Sequence, residues 1–147
     1  MVRVYPIVPY KLYVSARTAA MSTQEKHRLR KAGVSAVVNL WHTPDKEMQE
    51  LLSEGNYAHH PLTDGRTIDD TLVSAAVNAV YGYILRRNTV LVHCYGGRNR
   101  AGLICCLVMR RWLKISGAEA ADRFITARPN SLVNQHFQRY LRGLPKL

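Results

Sequence analysis

The chain has 147 residues, is 47% hydrophobic and 21% charged, and carries three cysteines and a formal net charge of +11. A chain of that length fits one domain, residues 1–147, and buries roughly 68–70% of its unfolded surface, so its core needs neither a disulfide framework nor a structural metal. Three cysteines point to a reducing, cytoplasmic setting, and with no apolar run long enough for a signal h-region or a bilayer span, neither secretion nor membrane insertion is expected.

Leu12-Tyr13-Val14 reads as an early strand. Ser22-Thr23-Gln24-Glu25 is a capping box that opens a helix to about Ala32, stopped by Gly33. Val34 to Leu40 is an apolar, buried strand. Pro44-Asp45 opens a helix that ends near Gly55, and Tyr57 to His60 is a short strand. Asp69 and Asp70 read as cap and first turn of a helix to Arg87, with Val73, Val77, Val80 and Ile84 on one stripe. Thr89 to Val92 is a nearly continuous apolar run, as in a central parallel strand, and Ala101 onward is apolar on every side and helical in length to Leu113. Ser116 to Glu119 is a second capping box, for a helix to about Ala127 broken by Pro129. Phe137, Tyr140, Leu141 and Leu144 space a last helix at i, i+3, i+4, i+7. The alternation predicts an α/β fold: a mainly parallel central sheet with helices on both faces, and a ligand site at the carboxyl ends of the strands.

Chemistry concentrates between the Thr89 strand and the Ala101 helix, in His93-Cys94-Tyr95-Gly96-Gly97-Arg98-Asn99-Arg100. The Cys-x5-Arg spacing is weak by itself, because Cys105 and Arg111 share it inside a helix whose N–H groups are already bonded. Around Cys94 the context differs. Gly96 and Gly97 permit positive φ and close approach, and strand–loop–helix geometry turns successive N–H groups into a nest for an anion, at a helix N-terminus. Arg100 can hold two phosphate oxygens at once. Such surroundings lower a thiol pKa from ~8.5 to about 3.5–7.5, which makes Cys94 the candidate nucleophile. His93 is expected to fix the cysteine backbone by hydrogen bonds, Arg98 to sit at the pocket rim against substrate or product, and Tyr95 either to line the pocket or to pack on neighbours. Asp64, in a loop after the Tyr57 strand, is the candidate proton donor, although Asp-Gly is also a common turn.

With Cys94, Arg100 and Asp64 assembled, the chain resembles the cysteine-dependent protein phosphatases, in their small dual-specificity branch. His93 to Arg100 is similar to the family's His-Cys-x5-Arg phosphate loop and Asp64-Gly65 to its general-acid loop. Pro9 to Ser15 is similar to its opening strand, Val37-Val38-Asn39-Leu40 to the strand after its first helix, and Arg128-Pro129-Asn130 through Asn134 and Phe137 to the approach to its last helix. The resemblance implies a phosphomonoesterase acting on phosphotyrosine, phosphoserine and phosphothreonine of proteins through a phosphocysteine, with no cofactor or metal. It implies that a polar side chain such as Asn134 or Gln135 orients the hydrolytic water; for Asn134 a helix cap is the alternative. One residue departs: where the family carries Ser or Thr after the arginine, Ala101 stands here. The missing hydroxyl is expected to slow hydrolysis of the intermediate.

Alternative substrates keep the same site. From Thr71 onward there are twelve Lys or Arg against two acids, and nine against eight before it, a field that would steer anionic ligands and suits a phosphoinositide head group. Gly97-Arg98-Asn99-Arg100 also resembles the "G-x-N-R" of the branch that removes RNA 5′-phosphates. A third class is a non-catalytic phosphoprotein-binding module. A monomer is expected. His59-His60 is not a metal site by this reading, because adjacent strand residues point to opposite faces.

Overall fold

The computed structural model describes residues 1–147. Five strands form one sheet: β1 (Val4–Val8), β2 (Leu12–Ser15), β3 (Ala36–Asn39), β4 (Tyr57–His59) and β5 (Val90–His93), in the order β1-β2-β5-β3-β4. All pairs are parallel except β1–β2. Six helices follow: α1 (Thr23–Lys31), α2 (Lys46–Leu51), α3 (Asp70–Leu85), α4 (Arg100–Leu113), α5 (Gly117–Ala127) and α6 (Gln135–Arg142).

Strand alternation divides the core. Leu12, Val14, Ala36, Val38, Val90 and Val92 face the larger cluster, built with α3, α4, α5 and α6. Val37 and Leu91, one residue out of phase, face a smaller cluster with Leu29 of α1 and Met48 of α2. Cys105 and Cys106 are fully buried in the larger cluster, and burial drives both thiols well above the ordinary cysteine range, away from thiolate chemistry.

Several elements depart from expectation. β1 is additional: Pro6 interrupts its apolar pattern, and the strand tolerates proline because it lies at the sheet edge, with Pro6 exposed. α2 stops at Leu51, well before Gly55, and α6 ends before Leu144. Asp69 is the α3 cap, accepting from Leu72 N–H at 3.1 Å, and a left-handed Arg87 closes that helix. Ser22 forms both halves of its capping box, whereas at Ser116 only the Glu119 N–H bond is made.

Register places the site. Ser15 of β2 and Asn39 of β3 both pair with His93 of β5, and His59 of β4 pairs with Asn39. The four parallel strands therefore end at one level, and the segments following them, with Arg17, Trp41, Asp64 and Cys94, emerge on one edge.

Candidate active site

The segment from Cys94 to Asn99 leaves β5 and enters α4 at Arg100. Its carbonyls are held from outside. Tyr95 O accepts from Arg17 N at 3.0 Å and Arg17 Nη1 at 3.3 Å, Gly96 O from Arg128 Nη2 at 3.3 Å, and Arg98 O from Leu132 N at 3.1 Å. In a trans peptide the N–H points opposite to the carbonyl, so fastening these oxygens turns the N–H groups of Gly96, Gly97 and Asn99 the other way. For Gly97 the result is explicit: its N–H donates to Cys94 Sγ at 3.2 Å. Gly97 has φ +69°, and a Cβ there would stand 2.5 Å from Ser15 O, whereas at Gly96 it would meet only Arg98 carbons at 3.6 Å or more. Of the two glycines, only Gly97 is demanded by the geometry.

Arg100 opens α4 with Nη1 on Leu62 O at 3.3 Å, two residues from Asp64. Its Nε and that of Arg128 are the only buried side-chain nitrogens or oxygens without a hydrogen-bond partner. Leaving such a donor unmet costs about 1–3 kcal/mol, more for a charged group. Both belong to guanidinium groups that bond the Cys94–Asn99 loop or the loop carrying Asp64, which is the arrangement an anion would complete.

Asp64 lies at the same edge, held by two amides. Asn99 Nδ2 donates to Oδ2 at 2.9 Å, and Asn134 Nδ2 donates to Oδ1 at 2.7 Å and to Gly65 O at 3.0 Å. Neither amide can turn round without loss. Asn99 Oδ1 accepts the Asn134 N–H at 3.0 Å, and Asn134 Oδ1 caps α6 through His136 N–H (3.0 Å) and Phe137 N–H (3.3 Å). Their oxygens are committed to backbone donors, so their nitrogens face the carboxylate. Asn134 thus serves as helix cap and as a ligand of Asp64 at once.

The remaining expected residues are placed as follows. Tyr95 is half-exposed; the Arg17 guanidinium lies 3.9 Å from its ring centre and Trp41 meets it edge-on at 5.6 Å, so it packs on neighbours. Arg98 is exposed, with Nε on Asn130 O at 2.6 Å. His93 is buried, with Nδ1 3.4 Å from Cys94 O and Nε2 3.4 Å from Thr18 Oγ1; burial holds its pKa down to about 4. Ala101 is fully buried. The sequence did not single out Arg17 or Thr18, because nothing local marks a residue that acts across the sheet edge; Arg128 was legible only within its Arg-Pro pair.

No helix is long and apolar enough to cross a membrane, and no cluster of three His, Cys, Asp or Glu could hold a metal ion. Solved structures share the fold. The Cydia pomonella PTP-2 phosphatase matches with a TM-score of 0.82 at 21% identity, covering 97% of this chain and 90% of that one. Human DUSP28 matches at 0.73 and 23%, covering 96% and 89%. Pseudomonas aeruginosa TpbA, solved in complex with pTyr, matches at 0.70 and 20%, covering 91% and 80%. No curated protein is recognisably similar in sequence. The family model described as the DSP-PTPase phosphatase domain of the Swiss Army Knife protein, PTP-SAK, matches residues 3–142. The chain therefore belongs to that family and is a cysteine-based phosphatase of the dual-specificity type.

Proposed function

We propose that the protein hydrolyses phosphomonoesters on tyrosine, serine and threonine side chains of proteins, with Cys94 as nucleophile, Arg100 as phosphate clamp and Asp64 as general acid. The observation that carries this reading is the fastened loop. The Gly97 N–H already points at Cys94 Sγ while the buried Arg100 Nε lacks a partner. Donors held in place before the reaction stabilise developing charge without reorganisation. The Cys94 thiolate attacks phosphorus, forming the S–P bond as the ester P–O bond breaks. Asp64 gives its proton to the leaving oxygen; two of its four lone-pair sites are filled by Asn99 and Asn134, which leaves a site for that proton. Water then attacks phosphorus, passing a proton to the Asp64 carboxylate, and the S–P bond breaks to return the thiolate. Ala101 offers that sulfur no hydroxyl.

The structural relative solved with pTyr supports a side-chain phosphate as substrate. The clustered guanidinium groups of Arg17, Arg98 and Arg128, none of which enters an ion pair, favour a second reading in which the same chemistry serves a more highly charged ester, a phosphoinositide or an RNA 5′-phosphate. A panel of phosphopeptides, phosphoinositides and 5′-phosphorylated RNA separates the two, with Cys94→Ser as control. Hydrolysis of phosphopeptides that is lost in Cys94→Ser is expected. Phosphopeptide binding without turnover of any substrate would overturn the catalytic reading in favour of a binding module.

A further inference from the structure

We infer that Arg128 is a positioning residue for Cys94, its positive charge carried to the sulfur through the one peptide unit between Gly96 and Gly97, an inference that rests on Cys94 being the nucleophile proposed above. Arg128 follows α5, and its Nη2 donates to Gly96 O at 3.3 Å. The N–H of that same peptide, on Gly97, donates to Cys94 Sγ at 3.2 Å. Guanidinium, amide and sulfur thus stand in one line of donors and acceptors. The rest of Arg128 is fixed independently. Its N–H caps α5 on Phe124 O at 2.8 Å, its carbonyl accepts Ser131 Oγ at 2.6 Å, and Nη1 donates to Pro129 O at 2.6 Å. The Tyr5 ring centre lies 4.6 Å from the guanidinium carbon.

Fastening a carbonyl does not by itself call for a guanidinium. A neutral amide would serve, whereas Arg128 is half-buried, joins no ion pair and leaves Nε buried without a partner. An unmet buried donor is costly, more so on a charged group. What arginine adds is a charge that no carboxylate neutralises. A hydrogen bond from an ionised donor is roughly twice as strong as a neutral one, and polarising a carbonyl strengthens the N–H at the other end of its amide. Donation to a charged form favours that form, so Arg128 supports the Cys94 thiolate at one peptide's remove. The other charged or titratable groups around Cys94 are few. Arg100 opens α4, and Asp64, from the loop after β4, has its oxygens on the amides of Asn99 and Asn134. Burial keeps His93 of β5 neutral and holds the Cys105 thiol of α4 well above its ordinary range. The Lys26–Asp45 ion pair lies beyond Thr18, on the far side of His93. Arg98 turns its Nε to Asn130 O. Arg17, after β2, supplies the internal comparison. Its guanidinium holds Tyr95 O, the neighbouring carbonyl, but that peptide's N–H, on Gly96, makes no bond to Sγ.

The test follows Cys94 without a phosphate ester, so its outcome is separate from whether the proposed hydrolysis is observed. Alkylation by iodoacetamide is measured against pH on the full chain in phosphate-free buffer, with Cys94→Ser as the blank. The pH midpoint is read instead of the rate, because thiolate nucleophilicity rises with basicity and offsets part of a lost thiolate fraction. Arg128→Gln keeps an N–H donor and removes the charge; its midpoint should rise by about half a pH unit to one unit, roughly a three- to tenfold loss of thiolate below the midpoint. Arg128→Lys should stay near the wild type. Both side chains are shorter than arginine, so the comparison between them isolates the charge. Arg17→Gln should move the midpoint much less. Iodoacetamide is neutral, so an Arg128 that only bound substrate would leave the profile unmoved. In the wild type, amide NMR should show the Gly97 N–H shifting with the same midpoint as alkylation. A Gly97 amide that ignores that titration would overturn the inference even if every variant failed to fold. An unmoved midpoint in Arg128→Gln, or an equal rise in Arg128→Lys, would overturn the role of the charge. An equal rise in Arg17→Gln would overturn the route through the Gly96–Gly97 peptide.

Discussion

Asn134 joins two tasks that one substitution would remove together and another would separate. Its oxygen caps α6 and its nitrogen binds Asp64. Asn134→Ala loses the cap, at about 1 kcal/mol, or about 2–4 °C in Tm for a chain of this size. It also removes one of the two side-chain donors on Asp64, while the 2.9 Å bond from Asn99 remains. A hydrogen bond to a charged group is worth about 1.5–3 kcal/mol; if that much positioning is lost in the transition state of phosphoryl transfer, kcat/KM falls about ten- to hundredfold. Asn134→Asp keeps a good cap but sets a carboxylate against Asp64, so it should retain Tm and still lose activity. The assay pairs thermal unfolding with kcat/KM on two esters, because kcat/KM reports phosphoryl transfer to Cys94 and not the later hydrolysis. An alkyl-type leaving group needs the proton from Asp64, whereas a dinitrophenolate does not. Loss of kcat/KM confined to the first ester is expected. An equal loss on both esters, or full activity in Asn134→Asp, would refute the coupling of the α6 cap to the general acid.

Other perturbations reach different parts of the site. Gly97→Ala should lose most activity while Gly96→Ala keeps much of it, as judged by kcat/KM, because only at Gly97 are the positive φ and the Ser15 carbonyl in the way. Ala101→Ser should speed turnover and shrink a pre-steady-state burst of released phenol; no burst in the wild type and no gain in the variant would remove the case for slow phosphocysteine hydrolysis. In the unfolded chain His93 binds a proton near its ordinary 6.5, and in the folded chain only near 4. Between those values the unfolded state holds more protons, so stability falls as pH falls through that window, by at most about 3 kcal/mol. Urea midpoints measured across it should drop in the wild type and flatten in His93→Gln; an unchanged slope would show that His93 is not the group responsible.

The strand–loop–helix that carries Cys94 and Arg100 was legible because its signals are local: an apolar run, glycines within six residues and an arginine at a helix start. Helix caps at Ser22, Asp69 and Asn134 were legible for the same reason, since a cap bonds two or three residues away. The Pro6 strand was not, because its proline is permitted only by an edge position that the rest of the sheet creates. Sequence proposed Asp64 on strand-end logic but could equally read Asp-Gly as a turn; the side chains that hold it come from 35 and 70 residues away. Arg128 reaches Gly96 across 32 positions and Thr18 reaches His93 across 75. No window of sequence contains such pairs, and their residue types are ordinary. The sequence by itself determined the Cys94–Arg100 loop between strand and helix and the order of the elements, through short-range backbone preferences and hydrophobic period. Only the tertiary structure decided what holds that loop, because parallel register brings the ends of four strands to one level and lets distant side chains converge there.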